Sequence, residues 1–218
     1  MKAAIASLTM ALALANASAI VFSTNWTMSA TVPDNNPSGL ANVQTVSGLT
    51  DTLISDISVK LNLTGGWNGD LFAYLTHGSG FVVLLDRVGQ NNVGPTGYGD
   101  AGMNVTFTSS AGGNIHNYGG GSIFSTPPTG SFLPDNSAIT VALPGSLSSF
   151  VGLDPNGTWT LFVSDLSGGG VTTLAGWGLD LNLVAIPEVE TYVAAALAGL
   201  FGAFWLNRQI WGRKQTQA

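Results

Sequence analysis

Aspartates at the ends of predicted strands are the residues of this chain whose types and positions best suit chemistry. Asp70, Asp86 and Asp165 adjoin apolar segments, and Asp100 lies in the loop that follows the second of them. Ca²⁺ binds carboxylates and backbone carbonyls in flexible shells of about six to eight oxygens. The pattern therefore predicts a calcium site at strand ends. Acidic residues are also ordinary in solvated turns, which is the alternative interpretation.

The two histidines offer a second set of chemical groups. His77 lies in a predicted turn and His116 in a long loop, and neither belongs to a subtilisin-type motif. A Ser/His/Asp hydrolase would require the fold to bring a serine from a distant loop to one of them. The absence of cysteine excludes disulfides and thiolate metal sites. We therefore expect a protein that is not an enzyme, with an orphan hydrolase as the least favoured alternative.

The composition favours a β-sandwich as the scaffold that positions these residues. Of the 218 residues, 45% are hydrophobic, enough for a core, while only 8% are charged and 29 are glycines suited to tight turns. Between Ile20 and Pro187 two bases, Lys60 and Arg87, stand against ten aspartates. Because an acidic body repels phosphates, this balance argues against nucleic acid and leaves cations or neutral polymers as partners.

Alternating apolar residues predict the strands. From Leu53 to Thr64, the residues Ile57, Val59, Leu61 and Leu63 alternate with polar ones, so one face lies in the core and the other in water. Further strands are predicted at Ile20 to Ala30, Ala41 to Leu49, Asp70 to Leu75, Phe81 to Leu85, Met103 to Phe107 and Ala138 to Leu143. The glycine-, asparagine- and serine-rich chain from Val88 to Asp135, with brief apolar segments at Met103 to Phe107 and Ile123 to Phe124, predicts surface loops with one or two short strands.

The stretch from Gly157 to Leu183 organises the rest of the chain. Trp159 shares a predicted strand face with Leu161, and Trp177 shares another with Leu179. A glycine-rich turn separates the two strands. The pattern predicts a β-hairpin that closes an antiparallel sheet, with both tryptophans buried in the core.

The same stretch resembles the P domain, the β-rich module that follows the catalytic domain of subtilisin-like proprotein convertases. It contains a Gly-Thr-Trp-x-Leu strand from Gly157, an acidic residue at Asp165 and a Leu-x-x-Trp-x-Leu strand from Leu174. Gly69-Asp70-Leu71 matches an earlier part of the family pattern. The resemblance runs from Val32 to Leu183 and covers most of the chain.

This resemblance implies an all-β fold, an antiparallel jelly-roll β-sandwich over residues 20–184, without the protease domain. Calcium sites occur in the family as well. Because Asp70 and Asp165 adjoin the matched motifs, the resemblance implies that they approach each other at one end of the sandwich and share a Ca²⁺ ion.

Residues 1–19 predict a secretory signal peptide. Lys2 supplies the positive start, Ala3 to Ala15 an apolar run, and Ala17-Ser18-Ala19 a small-residue cleavage site. Cleavage by signal peptidase after Ala19 would place the mature protein outside the cytoplasm. A buried helix of the folded domain is the alternative.

Residues 185–218 predict a sorting tail with a single hydrophobic helix at 193–206. Pro187-Glu188 precedes this uncharged run, and three bases follow it: Arg208, Arg213 and Lys214. The order resembles the PEP-CTERM signal of Gram-negative bacteria, which implies recognition by exosortase, transient insertion into the inner membrane and cleavage near Pro187. The run is shorter than the about 20 residues of a membrane-spanning helix. A permanent C-terminal anchor is the alternative.

These features predict an exported protein at the cell surface or in the extracellular matrix of a Gram-negative-type bacterium. Its expected role is structural or adhesive, in contact with extracellular polysaccharide. The alternative is a carbohydrate-binding module that uses exposed loop aromatics, for which Trp67, Tyr98 and Tyr118 are candidates.

Overall fold

A computed structural model describes residues 20–140, 145–186, 196–205 and 208. Within them, nine strands alternate with short 3₁₀ turns at Asn68–Asp70, Ile115–Asn117 and Leu147–Phe150. The strands are β1 (Ile20–Val32), β2 (Asn36–Val46), β3 (Thr52–Gly65), β4 (Leu71–His77), β5 (Gly80–Asp86), β6 (Met103–Thr108), β7 (Thr129–Phe132), β8 (Gly157–Asp165) and β9 (Thr172–Ala185).

The strands form two sheets that pack face to face. The five-stranded sheet has the order β1-β9-β3-β6-β7, and the four-stranded sheet has the order β2-β8-β4-β5. All strand pairs are antiparallel except β6 with β7, which is parallel. The predicted all-β, mostly antiparallel sandwich is confirmed.

The core follows from the alternation read in the sequence. On β9, Trp177, Leu179, Leu181 and Leu183 are buried, while Asn182 between them is exposed. The burial predicted for both tryptophans is confirmed, with 0% exposure for Trp159 and 2% for Trp177. They make different aromatic contacts. Trp159 stacks on His77 and Phe150, and Trp177 lies against Trp26.

The prediction of a closing hairpin is wrong. β8 lies in the four-stranded sheet between β2 and β4, whereas β9 lies in the five-stranded sheet between β1 and β3. The glycine-rich segment therefore crosses from one sheet to the other. Each of the two strands buries an apolar face in the shared core, and the crossing gives each of them a partner on both edges.

Other local predictions have mixed outcomes. The short strand predicted at Met103 is present as β6. Residues 138–140 are not strand, and the rest of the strand predicted at Ala138 to Leu143 lies outside the described residues. Phe124 is 72% exposed.

The chain enters the sandwich at β1 and leaves it after β9 at the same end of the fold. Ile20, the first described residue, pairs with Leu183, and Thr52 pairs with Ala185, the last residue of β9. We call this the proximal end. At the opposite, distal end, Val32 pairs with Thr172 and the loops after β1, β3 and β8 converge.

Only part of the predicted tail is described. Residues 196–205 are helical, and Arg208 is helical and exposed. No helix in the described part of the chain is both long and apolar enough to cross a membrane. The residues from which the sequence predicts processing and membrane orientation lie mostly outside the described residues. These are Ala19, Pro187, Glu188, Arg213 and Lys214.

Candidate functional site

The distal end brings Asp70 and Asp165 together. Asp165 ends β8 and pairs with Leu71, the first residue of β4, so the residue before Leu71 lies beside it. The carbonyl of Asp70 accepts a hydrogen bond from the amide of Leu166 at 2.9 Å. The two carboxyl residues are 4% and 1% exposed. Strand pairing alone therefore fixes two buried acids next to each other.

Neither of these carboxyl groups is well compensated. Burial raises the pKa of Asp70, against which a hydrogen bond from Ser167 and the charge of Arg87 act. Burial also raises the pKa of Asp165, and the nearby charges of Asp70 and Asp34 raise it further. A like charge and a low dielectric both disfavour the ionised form, so a bound cation would stabilise this pair.

Polar groups of Ser167, Thr172 and Arg87 lie around the pair. The Asp165 carboxylate accepts from the Ser167 amide at 3.3 Å and from the Thr172 hydroxyl at 3.4 Å. Arg87 donates to the Ser167 hydroxyl at 3.3 Å and to the Gly69 carbonyl at 3.5 Å. Hydroxyl, carbonyl and carboxylate oxygens are ligands that Ca²⁺ accepts. Arg87 is the competing source of positive charge.

The other two predicted ligands have protein partners of their own. The Asp86 carboxylate accepts the amide of Thr140 with both oxygens, at 3.0 and 2.8 Å. Asp100 accepts the Tyr118 hydroxyl at 2.9 Å and the Ser125 amide at 2.6 Å. Each holds a loop in place. In the part of the chain that the structure describes, no three acids or histidines are grouped so that they could hold a metal ion. The role of Asp86 and Asp100 as calcium ligands stays a prediction.

Calcium binding by Asp70 and Asp165 remains a prediction with a direct test. Addition of Ca²⁺ is expected to raise the melting temperature, because an ion that binds only the folded state stabilises it by about 2.7 kcal/mol at a 100-fold excess over Kd. Asp165→Asn should lose this shift and still fold in EDTA, because it removes a like charge from beside Asp70. Asp56→Asn, at a different part of the fold, is the matched control and should keep the shift. Identical melting of the wild type in Ca²⁺ and in EDTA would exclude the site.

His116 lies in a buried polar network that the sequence did not reveal. Its Nδ1 lies 2.9 Å from the Asp135 carboxylate, and its Nε2 lies 3.0 Å from the Gln90 carbonyl oxygen. The other acceptor positions of Asp135 take the amides of Asp86 at 3.1 Å and Ser137 at 2.9 Å. Burial by itself lowers the pKa of His116, but the hydrogen bond and charge of Asp135 outweigh it, and the pKa is raised overall.

His77 is equally engaged. Its two ring nitrogens lie 2.9 Å from the carbonyl oxygen of Thr158 and 2.7 Å from that of Asp154. The ring stacks on Trp159 at a centroid distance of 4.0 Å. Both ring nitrogens of each histidine thus contact protein oxygens. In this arrangement neither one offers a ring nitrogen to a serine, as the hydrolase alternative requires.

The aromatics proposed for sugar stacking are not all on the surface. Trp67 is 46% exposed, whereas Tyr98 is fully buried. The Tyr98 ring packs so closely on Gly89 and Gly119 that a Cβ at either position would lie 2.6 or 2.7 Å from it. The Tyr118 hydroxyl accepts from Asn68 at 3.1 Å and donates to Asp100. The prediction that Tyr98 is an exposed loop aromatic is therefore wrong, because its buried ring holds the long loop in place.

Comparison with known proteins adds only distant structural likeness. No family model and no curated protein matches the sequence. The chain is similar to the crystal structure of a serine protease of Aeromonas sobria, at 14% identity and a TM-score of 0.43. It is also similar to a crystal structure of that protease in complex with the chaperone ORF2, at 16% identity and a TM-score of 0.44. The alignments cover 76% and 77% of this chain but 27% of the matched chain in each case.

Proposed function

We propose that this chain is an exported, non-catalytic P-domain-like module with a structural or adhesive role at the cell surface or in the extracellular matrix. Signal peptidase would remove residues 1–19. The tail would then hold the protein in the inner membrane until exosortase cuts near Pro187-Glu188. The proposal concerns a Gram-negative-type bacterium, whose exopolysaccharide is the expected surrounding.

The position of the chain ends carries this proposal. The first strand begins at Ile20, directly after the proposed signal-peptidase site, and pairs with Leu183, a few residues before Pro187. The chain therefore enters and leaves the sandwich at its proximal end, which is compatible with both flanking segments lying next to a membrane and with the distal loops facing away from it.

The P-domain likeness is supported by where the matched residues lie. Trp159 and Leu161 of the first motif and Trp177 and Leu179 of the second are all buried in one core, on central strands of the two sheets. Asp70, from the third matched motif, lies beside the end of β8. The motifs therefore form the structural frame of the sandwich, as family motifs of a non-catalytic module would.

The basic tail determines the proposed orientation. Arg208, Arg213 and Lys214 stay on the cytoplasmic side by the positive-inside rule, with the sandwich outside. β9 ends at Ala185, two residues before Pro187 in the sequence, and proline has no backbone N–H to donate to a sheet. A linker in that position is accessible to a membrane-embedded transpeptidase.

Mass spectrometry of the protein extracted from the cell surface or matrix tests the proposal. We expect mature chains that begin at Ile20 and end near Glu188, with no peptide from the segment 209–218. Processing should fail in Glu188→Ala and in a strain without exosortase, whereas Glu190→Ala is the matched control. Recovery of the 209–218 peptides from the mature product would instead show a permanent anchor.

A further inference from the structure

The outer face of the five-stranded sheet carries a groove of about 250 Å³ that Gly176 lines at the level of the backbone. Gly176 and Gly178 face outward from β9, one strand in from the edge. β1 and β3 pair with β9 on its two sides, so their side chains stand about 10 Å apart across the glycines. The sequence pattern Gly-Trp-Gly thus buries its tryptophan and leaves a trough on the opposite face.

The walls are made of amides and hydroxyls in register. One row across the sheet is Thr27 on β1, Gly176 on β9, Asn62 on β3 and Asn104 on β6. The next row on the same face contains Asn25, Gly178, Lys60 and Thr106. Because residues two apart along a strand share a face, the two rows together form one continuous polar surface.

The amides of this surface are exposed and unengaged. Asn25, Asn62 and Asn104 are exposed, and among the described residues their amide groups make no hydrogen bond to protein atoms. Asparagines elsewhere in the fold are used structurally. Asn42 accepts from Trp177 Nε1 at 2.8 Å, and Asn68 donates to the Gly102 carbonyl at 2.9 Å.

Glycine is a strict requirement of the packing at Gly176 and Gly178. A Cβ at Gly176 would lie 2.7 Å from the carbonyl oxygen of Trp26, and one at Gly178 would lie 2.5 Å from Oδ1 of Asn25. A side chain at either position would therefore displace β1 or fill the trough.

The groove is electrically neutral within an acidic protein. Its one cation, Lys60, is paired with Asp180 at 2.7 Å, and the Ser23 hydroxyl also contacts Asp180. The remaining walls are uncharged, and the sandwich as a whole contains ten aspartates and two basic residues. An anionic polymer would be repelled, and a cationic one would find no free carboxylate in the trough.

Aligned amides match the chemistry of a neutral sugar. An amide both donates and accepts, so it can pair with two neighbouring hydroxyls of a sugar ring, and threonine hydroxyls add further donors and acceptors. A groove of about 250 Å³ is large enough for a sugar ring. An apolar ligand would leave the amides unpaired, which is costly.

We propose that this groove binds a neutral polysaccharide through Asn25, Asn62 and Asn104 over Gly176. The inference rests on the proposed function, because it names the matrix polymer that the adhesive module contacts. It places the site on the sheet face and away from the loop aromatics.

Depletion from solution by insoluble polysaccharides tests the site. The full-length chain, kept soluble in a detergent without a sugar head group, is mixed with cross-linked dextran, galactomannan or cellulose, and with alginate as an anionic polymer. We expect retention on a neutral polymer, with release by its soluble oligosaccharide. Asn62→Ala with Asn104→Ala should weaken it by about tenfold or more, since two hydrogen bonds contribute roughly 0.5 to 1.5 kcal/mol each.

Asn182→Ala is the matched control, since this exposed asparagine lies on the same face of β9 beyond the groove; its binding should equal that of the wild type. Exposed substitutions of this kind leave the fold intact, which melting curves verify. No retention on any neutral polymer, retention on alginate alone, or equal loss in the control would overturn the inference. The inference would also be overturned if the protein bound unfolded casein and the double variant Asn62→Ala with Asn104→Ala abolished that binding. The processing experiment above is independent, so either result can fail without the other.

Discussion

Trp159→Ala is expected to destabilise the sandwich by about 3 to 5 kcal/mol, the usual cost of truncating a large buried aromatic. The side chain is fully buried, its ring lies between His77 and Phe150, and its Nε1 donates to the Pro155 carbonyl at 3.0 Å. The variant loses apolar burial, two stacked contacts and a partner for a buried carbonyl. For a chain of this length the melting temperature should fall by about 6 to 20 °C.

Trp67→Ala is the matched control for this measurement. It removes the same side chain from a loop position where the residue is 46% exposed, so it should shift the melting curve much less. Circular dichroism follows both variants without dependence on tryptophan fluorescence. If Trp159→Ala melts within a degree or two of the wild type, the buried Trp159 ring does not stabilise the sandwich as expected.

Much of the frame could be predicted because period-2 alternation is a strong local signal. β8 occurs at Gly157–Asp165, and β3 was located to within one residue at each end. Strand partners are a different matter. β8 and β9 are adjacent in sequence and each alternates cleanly, yet they join different sheets. Alternation shows which face is buried but not which sheet a strand enters, and the connecting loop is compatible with either arrangement.

The candidate sites also differ in whether they depend on local pattern or on strand partners. Asp70 and Asp165 could be placed together because each adjoins a motif that resembles the P-domain pattern. The groove could not be found, since it depends on β1, β3 and β6 lying in register around β9. The pattern Gly176-Trp177-Gly178 was the available signal, because two glycines flanking a buried residue leave an outward face without side chains. Outside β6, the segment from Val88 to Asp135 carries no clear alternation, so the buried network around His116 was not predictable.

Asp135→Ala is expected to cost about 3 to 5 kcal/mol, the range for removing one partner of a buried ionic pair. Asp135 is 2% exposed and accepts from three groups: His116 Nδ1 and the amides of Asp86 and Ser137. The variant leaves all three without their partner in a region from which water is excluded. Unfolding in urea measures the loss, and Asp56→Ala, at an aspartate without such a network, is the control.

The pH dependence distinguishes the ion pair from mere packing. In the wild type the folded pKa of His116 is raised above its ordinary 6.5. Its protonation therefore contributes stability in full below about pH 6.5, and this contribution is lost as pH rises through the folded pKa. In Asp135→Asn the two largest causes that raise the pKa of His116 are removed, so its folded pKa should fall relative to the wild type and less stability should be lost as the pH rises.

Urea midpoints at pH values from about 5 to 8 measure these slopes, because histidine titrates in that range. The wild type is compared with His116→Gln, and Asp135→Asn with the double variant Asp135→Asn/His116→Gln, so every group other than His116 is common to both members of each pair. We expect the first difference in stability to decline with rising pH and the second to decline less or not at all. Equal pH dependence of the two differences would mean that Asp135 does not act through the charge of His116 and serves only as an acceptor for the loop amides.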